Sequence, residues 1–446
     1  MKTRKALKRK PYDPRKDKYG SVARPINYRG YETYVSTTYC APNAETLAKQ
    51  FAGILLGPIY MGMGIGNPTV RKFEGEMVLT ETDDPDRYDA YACATGSSAL
   101  HLLIEHLLAK KKLPDGTYET TRSNVVSSPY IYGGTHYFLT TYLPGLGMEC
   151  RFVSDPADPK SWEAAITPET KFFLCETSTN PHGKVSNIPM IAEVAHRHGK
   201  PLVADNTIPT GALCRPLLLG ADIVVSSATK GICGYSTAGA GVIIGEAPFI
   251  KQFRASVQCV RPVLDPRAAV DMMIGLSDLG PRMKRHSENA LTLATMLAAH
   301  PFVGNVSYAY LPNHLEHALA KSQMKGGGPL FSFTVNRFRK ITQIEQAYAP
   351  RGVASAPATL EESQRFINML TKKGPVLLAV HIAHKTTLAT HPASTSHAKV
   401  PKPDREEMGL TDNMIRISVG SESPRAFLKV VKQFKKTLDE WAKTLV

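Results

Sequence analysis

The 446 residues contain no apolar run long enough to cross a bilayer, which takes roughly 20 residues, and the basic N-terminus has no apolar stretch behind it of the kind a secretory signal carries. Neither a membrane helix nor an export signal is expected, and the expected compartment is the cytoplasm. Cysteine is sparse. The seven, Cys40, Cys93, Cys150, Cys175, Cys214, Cys233 and Cys259, are odd in number, scattered and never spaced C-x-x-C. That pattern argues against a disulfide framework or a zinc site and for reduced thiols, so no metal is expected. Lys2, Arg4, Lys5, Lys8, Arg9, Lys10, Arg15, Lys16 and Lys18 supply a large part of the net charge of +15, yet few aromatics interleave them and no nucleic-acid module follows. They read as a solvated tail, and no nucleic-acid partner is expected. With 43% hydrophobic and 21% charged residues, the chain has the composition of an ordinary globular protein with room for two or three domains. The rest of its positive balance suits anionic ligands.

The chain is organised around the stretch from Pro201 to Gly245, where apolar runs of strand length (Leu202 to Ala204, Ile223 to Val225, Val242 to Ile244) alternate with polar, Gly-rich breaks. In an open α/β sheet ligands bind outside the carboxyl ends of the strands, so Asp205 after one run and Ser227, Thr229 and Lys230 after the next would converge. Lys230 alone would read as a surface lysine. Together with Asp205 and the hydroxyls it fits pyridoxal 5'-phosphate, whose aldehyde takes a lysine amine, whose ring nitrogen needs a carboxylate, and whose phosphate needs hydroxyls and amides.

Other segments add to this. YACATGSSALHLLIEHLL reads as a strand, then Gly96, Ser97 and Ser98, then a helix with Leu100, Leu103, Ile104, Leu107 and Leu108 on one face. Its N-terminus is either a plain cap or an anion site. In SSPYIYGGTHYFL, Tyr132 heads a Gly-Gly turn, and FFLCETSTNPHGKV is a strand and loop carrying Glu176, Asn180 and Pro181, with His182 expected to cap the loop. Ile188 to His198 reads as a helix stopped by Gly199. Strand, helix and strand in succession argue for parallel crossovers. After Ala299 the texture changes to alternation, with GGGPLFSFTVN, GPVLLAVHIA and NMIRISVG as strands of a smaller sheet and Pro424 to Leu445 as a closing helix. Arg416 is the charged residue inside an apolar strand. Such an arginine needs an anionic partner, either a structural carboxylate or that of a substrate.

ADNT, GADIVVSSATK, the GNPT of Asn67, Pro68 and Thr69, YGGT, ETSTNP and RISVG together resemble the Cys/Met-metabolism family of pyridoxal-phosphate enzymes, and the resemblance covers nearly everything after about Ser36. It implies an α/β PLP-dependent transferase fold (fold type I), with a large, mostly parallel seven-stranded sheet domain and a smaller C-terminal α/β domain. The expected divisions are an N-terminal arm at 1–65, a cofactor-binding domain at 66–299 and a small domain at 300–446. Carried over residue by residue, Lys230 holds the cofactor and moves protons, and Tyr132 stacks on the ring and assists. Asp205 meets the ring nitrogen, Asn180 the phenolic oxygen, and Gly96, Ser97, Ser227 and Thr229 the phosphate. Arg416, with His381, takes the substrate carboxylate. The implied activity is γ-replacement on an activated homoserine, as in cystathionine γ-synthases or O-acyl-homoserine sulfhydrylases, with a small thiol or sulfide as partner. The alternatives are a γ- or β-elimination lyase, a catalytically altered member, or, outside the branch, an aminotransferase or decarboxylase of the same fold type. A homotetramer built as a dimer of dimers is implied as well.

Two departures stand out. Many members carry Tyr-x-Arg before the GNPT, and those side chains reach the partner subunit's phosphate; here the positions are Gly62 and Gly64, with Tyr60 two residues upstream. The family's S-L-G-G has become His381, Ile382, Ala383 and His384, preceded by Val380 where cystathionine-handling members often carry an acid. Val380 favours a small sulfur nucleophile over cysteine.

Overall fold

The computed structural model describes residues 13–443 except 53, 56, 61–65, 110–115, 117–122, 258–261 and 341–352, so Gly62, Gly64, Cys259 and the basic tail through Lys10 lie outside the described residues. A short antiparallel ribbon, β1 (Ile26–Tyr28) with β2 (Tyr31–Thr33), comes first. The Pro68–Glu81 helix follows, begun by Asn67, whose Oδ1 accepts the amides of Thr69 and Val70 while Pro68 fills the first turn. Asn67 Nδ2 also donates to the Tyr34 carbonyl and the Tyr39 hydroxyl.

The large sheet is built from β3 (Tyr88–Cys93), β4 (Asn124–Ser127), β5 (Glu149–Phe152), β6 (Thr170–Glu176), β7 (Leu202–Asp205), β8 (Ile223–Ser226) and β9 (Gly241–Glu246), in the order β3-β9-β8-β7-β6-β4-β5. From β8 through β5 all pairings are parallel, and β9 runs antiparallel to both of its neighbours. Helices cover both faces, which is why the strands read as unbroken apolar runs. Val203 and Val225 pack on one side with Leu100, Leu103 and Ile104 of the Gly96–Leu108 helix. Leu202 and Ala204 pack on the other with Ile191 and Val194 of the Ile188–Arg197 helix. That helix ends where Gly199 takes φ +63°, a left-handed conformation that closes helices and suits glycine.

The second sheet comprises β10 (Val303–Ser307), β11 (Leu330–Lys340), β12 (Val353–Pro357), β13 (Leu377–Leu378), β14 (Leu388–Thr390) and β15 (Met414–Ser418), ordered β10-β11-β15-β14-β13 with β12 beside β11. Phe331, Phe333, Ile415 and Ile417 pack against Leu293 and Leu297 of the Leu279–Ala298 helix and Val430, Phe434, Leu438 and Trp441 of the Pro424–Lys443 helix. Each such side chain buried from water contributes about 1.5–3 kcal/mol. The strand expected in GPVLLAVHIA shrinks to Leu377–Leu378. Leu377, Leu378 and Val380 are exposed there, and Ala383 adopts φ +57°, so the run is an edge that turns away and not a core strand. Among the described residues no helix is long and apolar enough to cross a membrane.

Candidate active site

The parallel strands deliver their carboxyl ends to one edge of the large sheet, and there a cavity of about 370 Å³ opens toward the second sheet. All of the residues singled out from the sequence, namely Gly96, Ser97, Tyr132, Asn180, Asp205, Ser227, Thr229, Lys230, His381 and Arg416, line it.

One end is made by a helix start. Thr95 Oγ1 accepts the Ser98 amide at 3.0 Å, which leaves Gly96 and Ser97, ahead of Ser98 on a 13-residue helix, at the cavity wall. Backbone amides at such an end favour an anion. Gly96 has to be glycine, because a Cβ there would run into Ser227. Across from it Thr229 Oγ1 donates to the Ala240 carbonyl at 3.2 Å and accepts the Ala240 amide at 3.0 Å, which pins the Gly-rich segment next to Lys230.

The floor is acidic. Glu176 and Asp205 end adjacent strands, and both line the cavity. Asp205 Oδ1 accepts the Thr207 amide at 2.9 Å, while Thr207 Oγ1 takes the Ser227 amide at 2.8 Å. Burial raises the Asp205 carboxyl above its ordinary value, and the Thr207 hydroxyl and amide oppose the rise. Burial, and then the charge of Arg416, lower the Lys230 amine below its ordinary value. An amine that gives up its proton more easily is the better nucleophile.

The far side belongs to the second sheet. Arg416, at the middle of β15, is 2% exposed, and no acid pairs with it among the described residues. Nη1 donates to Asn180 Oδ1 at 3.2 Å, Nη2 donates to the His381 carbonyl at 3.3 Å, and Nε has no partner. Burial lowers the guanidinium to about 10. A buried cation held this way suits an anionic group. Beside it, the His381 imidazole is lowered to about 4 by burial first and then by the charges of Lys230 and His384. It is a neutral ring near neutral pH, with Nε2 3.4 Å from Ser236 Oγ.

Tyr132 stands 41% exposed at the mouth, with its ring against Gly134, where a Cβ would collide with it, and edge-on to His397. Tyr60 is exposed and is not among the residues lining this cavity. His182 does not cap its loop: it is buried with its ring edge-on to Tyr130, and Nε2 has no partner. Among the lining residues that the sequence reading did not assign to the site are Glu176 and Thr207. Both sit inside motifs that were recognised, and what they do is bind backbone amides, which composition does not display.

A nucleophilic amine beside a carboxylate able to keep a ring nitrogen protonated, with helix-end amides at one end and an unpaired guanidinium at the other, fits pyridoxal phosphate together with an amino-acid carboxylate. On a doubly covered sheet of this order, that defines a pyridoxal-phosphate enzyme. The description Cys/Met metabolism PLP-dependent enzyme matches residues 12–433. O-succinylhomoserine sulfhydrylase of Pseudomonas aeruginosa is 32% identical over 403 residues, 90% of this chain and 90% of that protein. L-methionine gamma-lyase of Treponema denticola is 30% identical over 432 residues, 96% of this chain and 95% of that protein. Among solved structures, cystathionine gamma-lyase from Lactobacillus plantarum complexed with L-serine matches with a TM-score of 0.75 at 25% identity, covering 94% of this chain and 97% of that one. The chain belongs to the Cys/Met metabolism family of PLP-dependent enzymes.

Proposed function

We propose that this enzyme carries out γ-replacement on an activated homoserine, joining a small thiol or sulfide to the substrate's Cγ. The observation that carries the amino-acid part of the reading is Arg416, a buried guanidinium with no acidic partner among the described residues. The fork geometry of that group suits an α-carboxylate. When bound, the cofactor supplies an electron sink that makes the protons at the substrate's Cα and then Cβ acidic.

The chain's own residues do the rest. Lys230 would hold the cofactor through its amine and move protons at the substrate's Cα and Cβ. Tyr132 would lie against the ring and assist proton transfer. Asp205 would keep the ring nitrogen protonated, Asn180 would meet the phenolic oxygen, and Gly96, Ser97, Ser227 and Thr229 would hold the phosphate. Arg416 takes the carboxylate with His381, which offers an N–H but no charge.

The sulfhydrylase relative and Val380 at the cavity favour replacement by a small sulfur nucleophile. The second reading is elimination to a keto acid, favoured by the methionine gamma-lyase relative. The deciding experiment gives the enzyme an O-acyl-homoserine with and without sulfide. Homocysteine as the main product supports replacement, and 2-oxobutyrate in both arms overturns it. Lys230→Ala should abolish the visible absorbance of lysine-bound cofactor and leave the fold intact. A wild type that stays colourless with added cofactor would sink the whole reading.

For assembly we infer a homodimer paired into a tetramer. In the segment ahead of the large sheet, Phe51, Ile54, Leu55 and Tyr60 are exposed, an apolar stretch suited to a second copy. A fully active monomer in light scattering would refute this.

A further inference from the structure

Glu176 ends β6 and Asp205 ends β7, and the two are register partners on adjacent parallel strands. Register partners put their side chains on the same face of a sheet, so two carboxylates stand side by side at the cavity floor. Glu176 Oε1 accepts the Tyr132 amide at 2.6 Å, and Oε2 accepts the Asn180 amide at 3.2 Å. One side chain thus spans from the turn that presents the ring tyrosine to the loop that presents Asn180. Its own carbonyl is held by Ser186 Oγ at 2.7 Å.

Among the described residues no cation forms an ion pair with either carboxylate within 4 Å. Facing the pair are the cations Lys230 and Arg416, neutral His381 and the phenol of Tyr132 across the cavity, while the buried Cys175 thiol on β6 itself packs on the other face of the sheet. Two carboxylates this close, surrounded by protein, do not ionise independently.

We propose that Glu176 is a positioning residue for this site: its carboxyl group fixes the two loops that carry Tyr132 and Asn180, and the charge of Asp205 beside it keeps a proton on it. Burial and then the charge of Asp205 push Glu176 well above the ordinary carboxylate range, which agrees with a pair that gives up its last proton late. The inference rests on the assignment of Asp205 to the ring nitrogen, since the ionisation of Asp205 decides how firmly that nitrogen keeps its proton.

The test uses the full chain, first stripped of cofactor and then loaded. The infrared band of protonated Glu176, assigned by labelling glutamate and by its loss in Glu176→Gln, is titrated with pH. Asp205→Asn removes the neighbouring charge, so the Glu176 midpoint should fall; an unchanged midpoint overturns the electrostatic part. Glu176→Asp keeps the carboxyl group and shortens the reach, so cofactor affinity should weaken on the order of tenfold. Unchanged affinity in Glu176→Asp overturns the bracing part, and this variant serves alone if Glu176→Gln does not fold. A wild type that takes up no cofactor would instead overturn the functional reading, and the titration of the stripped protein would still decide whether Asp205 governs Glu176.

Discussion

Arg416 Nη1 donates to Asn180 Oδ1 across 3.2 Å, a contact that ties the middle strand of the small sheet to the loop behind the large one. It places the group expected to hold the substrate next to a group expected to hold the cofactor. A carboxylate bound at Arg416 would therefore also load the Asn180 loop.

Because Arg416 has no acid to pair with among the described residues, its removal should cost binding more than folding. Arg416→Ala should raise KM by on the order of a few hundredfold to a few thousandfold, since losing one partner of a buried charge pair costs about 3–5 kcal/mol. The cofactor spectrum should stay as in the wild type. If substrate affinity survives while thermal stability collapses, the arginine is structural and the carboxylate is held elsewhere.

His381 gives a prediction with a definite sign. Its imidazole is lowered to about 4, so it is neutral across pH 6 to 8 and gains a proton only as pH falls toward 4. Wild type and His381→Ser should therefore show pH profiles of the same shape above pH 6, with KM changed by about tenfold or less, the scale of one uncharged hydrogen bond. A limb near pH 6.5 in the wild type that vanishes in His381→Ser would show the ring titrating in its ordinary range. A shift in preference among acyl-homoserines would show that it shapes the pocket.

Asp205→Ala should bind cofactor weakly and lose most turnover, because nothing would keep the ring nitrogen protonated. Cofactor titration and turnover measured on the same preparation check this. Near-normal turnover would make Asp205 a structural residue.

Much of this site was legible because Asp205, Ser227, Thr229 and Lys230 fall at strand ends within one contiguous stretch, where apolar runs and polar breaks betray the sheet edge. Arg416 was legible as a charge inside an apolar strand. Glu176 was visible as a residue of a motif but not as a brace, since its partners are the amides of Tyr132 and Asn180. Leu377 and Leu378 misled for the opposite reason: an apolar run reads as buried, yet these sit exposed on an edge that only the fold of the neighbouring chain defines.

Glu81 gave no sequence signal at all, and it supports the last prediction. It closes the helix that begins at Pro68, fully buried, with Oε1 accepting Asn206 Nδ2 at 3.0 Å directly behind Asp205. Glu81 Oε2 and Asn206 Oδ1 both lack partners, so a proton on the carboxyl supplies a donor where there are otherwise two bare acceptors. Burial raises Glu81 from 4.5 to about 8, against the opposing pull of Asn206 and Arg215. The folded state thus binds this proton more tightly than the unfolded state does. The stability it contributes is fully present below about pH 4.5 and is lost as pH rises through about 8, with an upper bound on the order of 4 to 5 kcal/mol. Glu81→Gln, which mimics the protonated carboxyl, should remove that dependence. Its melting temperature should approach or fall below that of the wild type at pH 5 and exceed it by a few degrees at pH 8, with cofactor absorbance retained. Parallel melting curves for the two proteins from pH 5 to 8 would mean that Glu81 ionises at its ordinary value and that its buried position is compensated by groups other than Asn206.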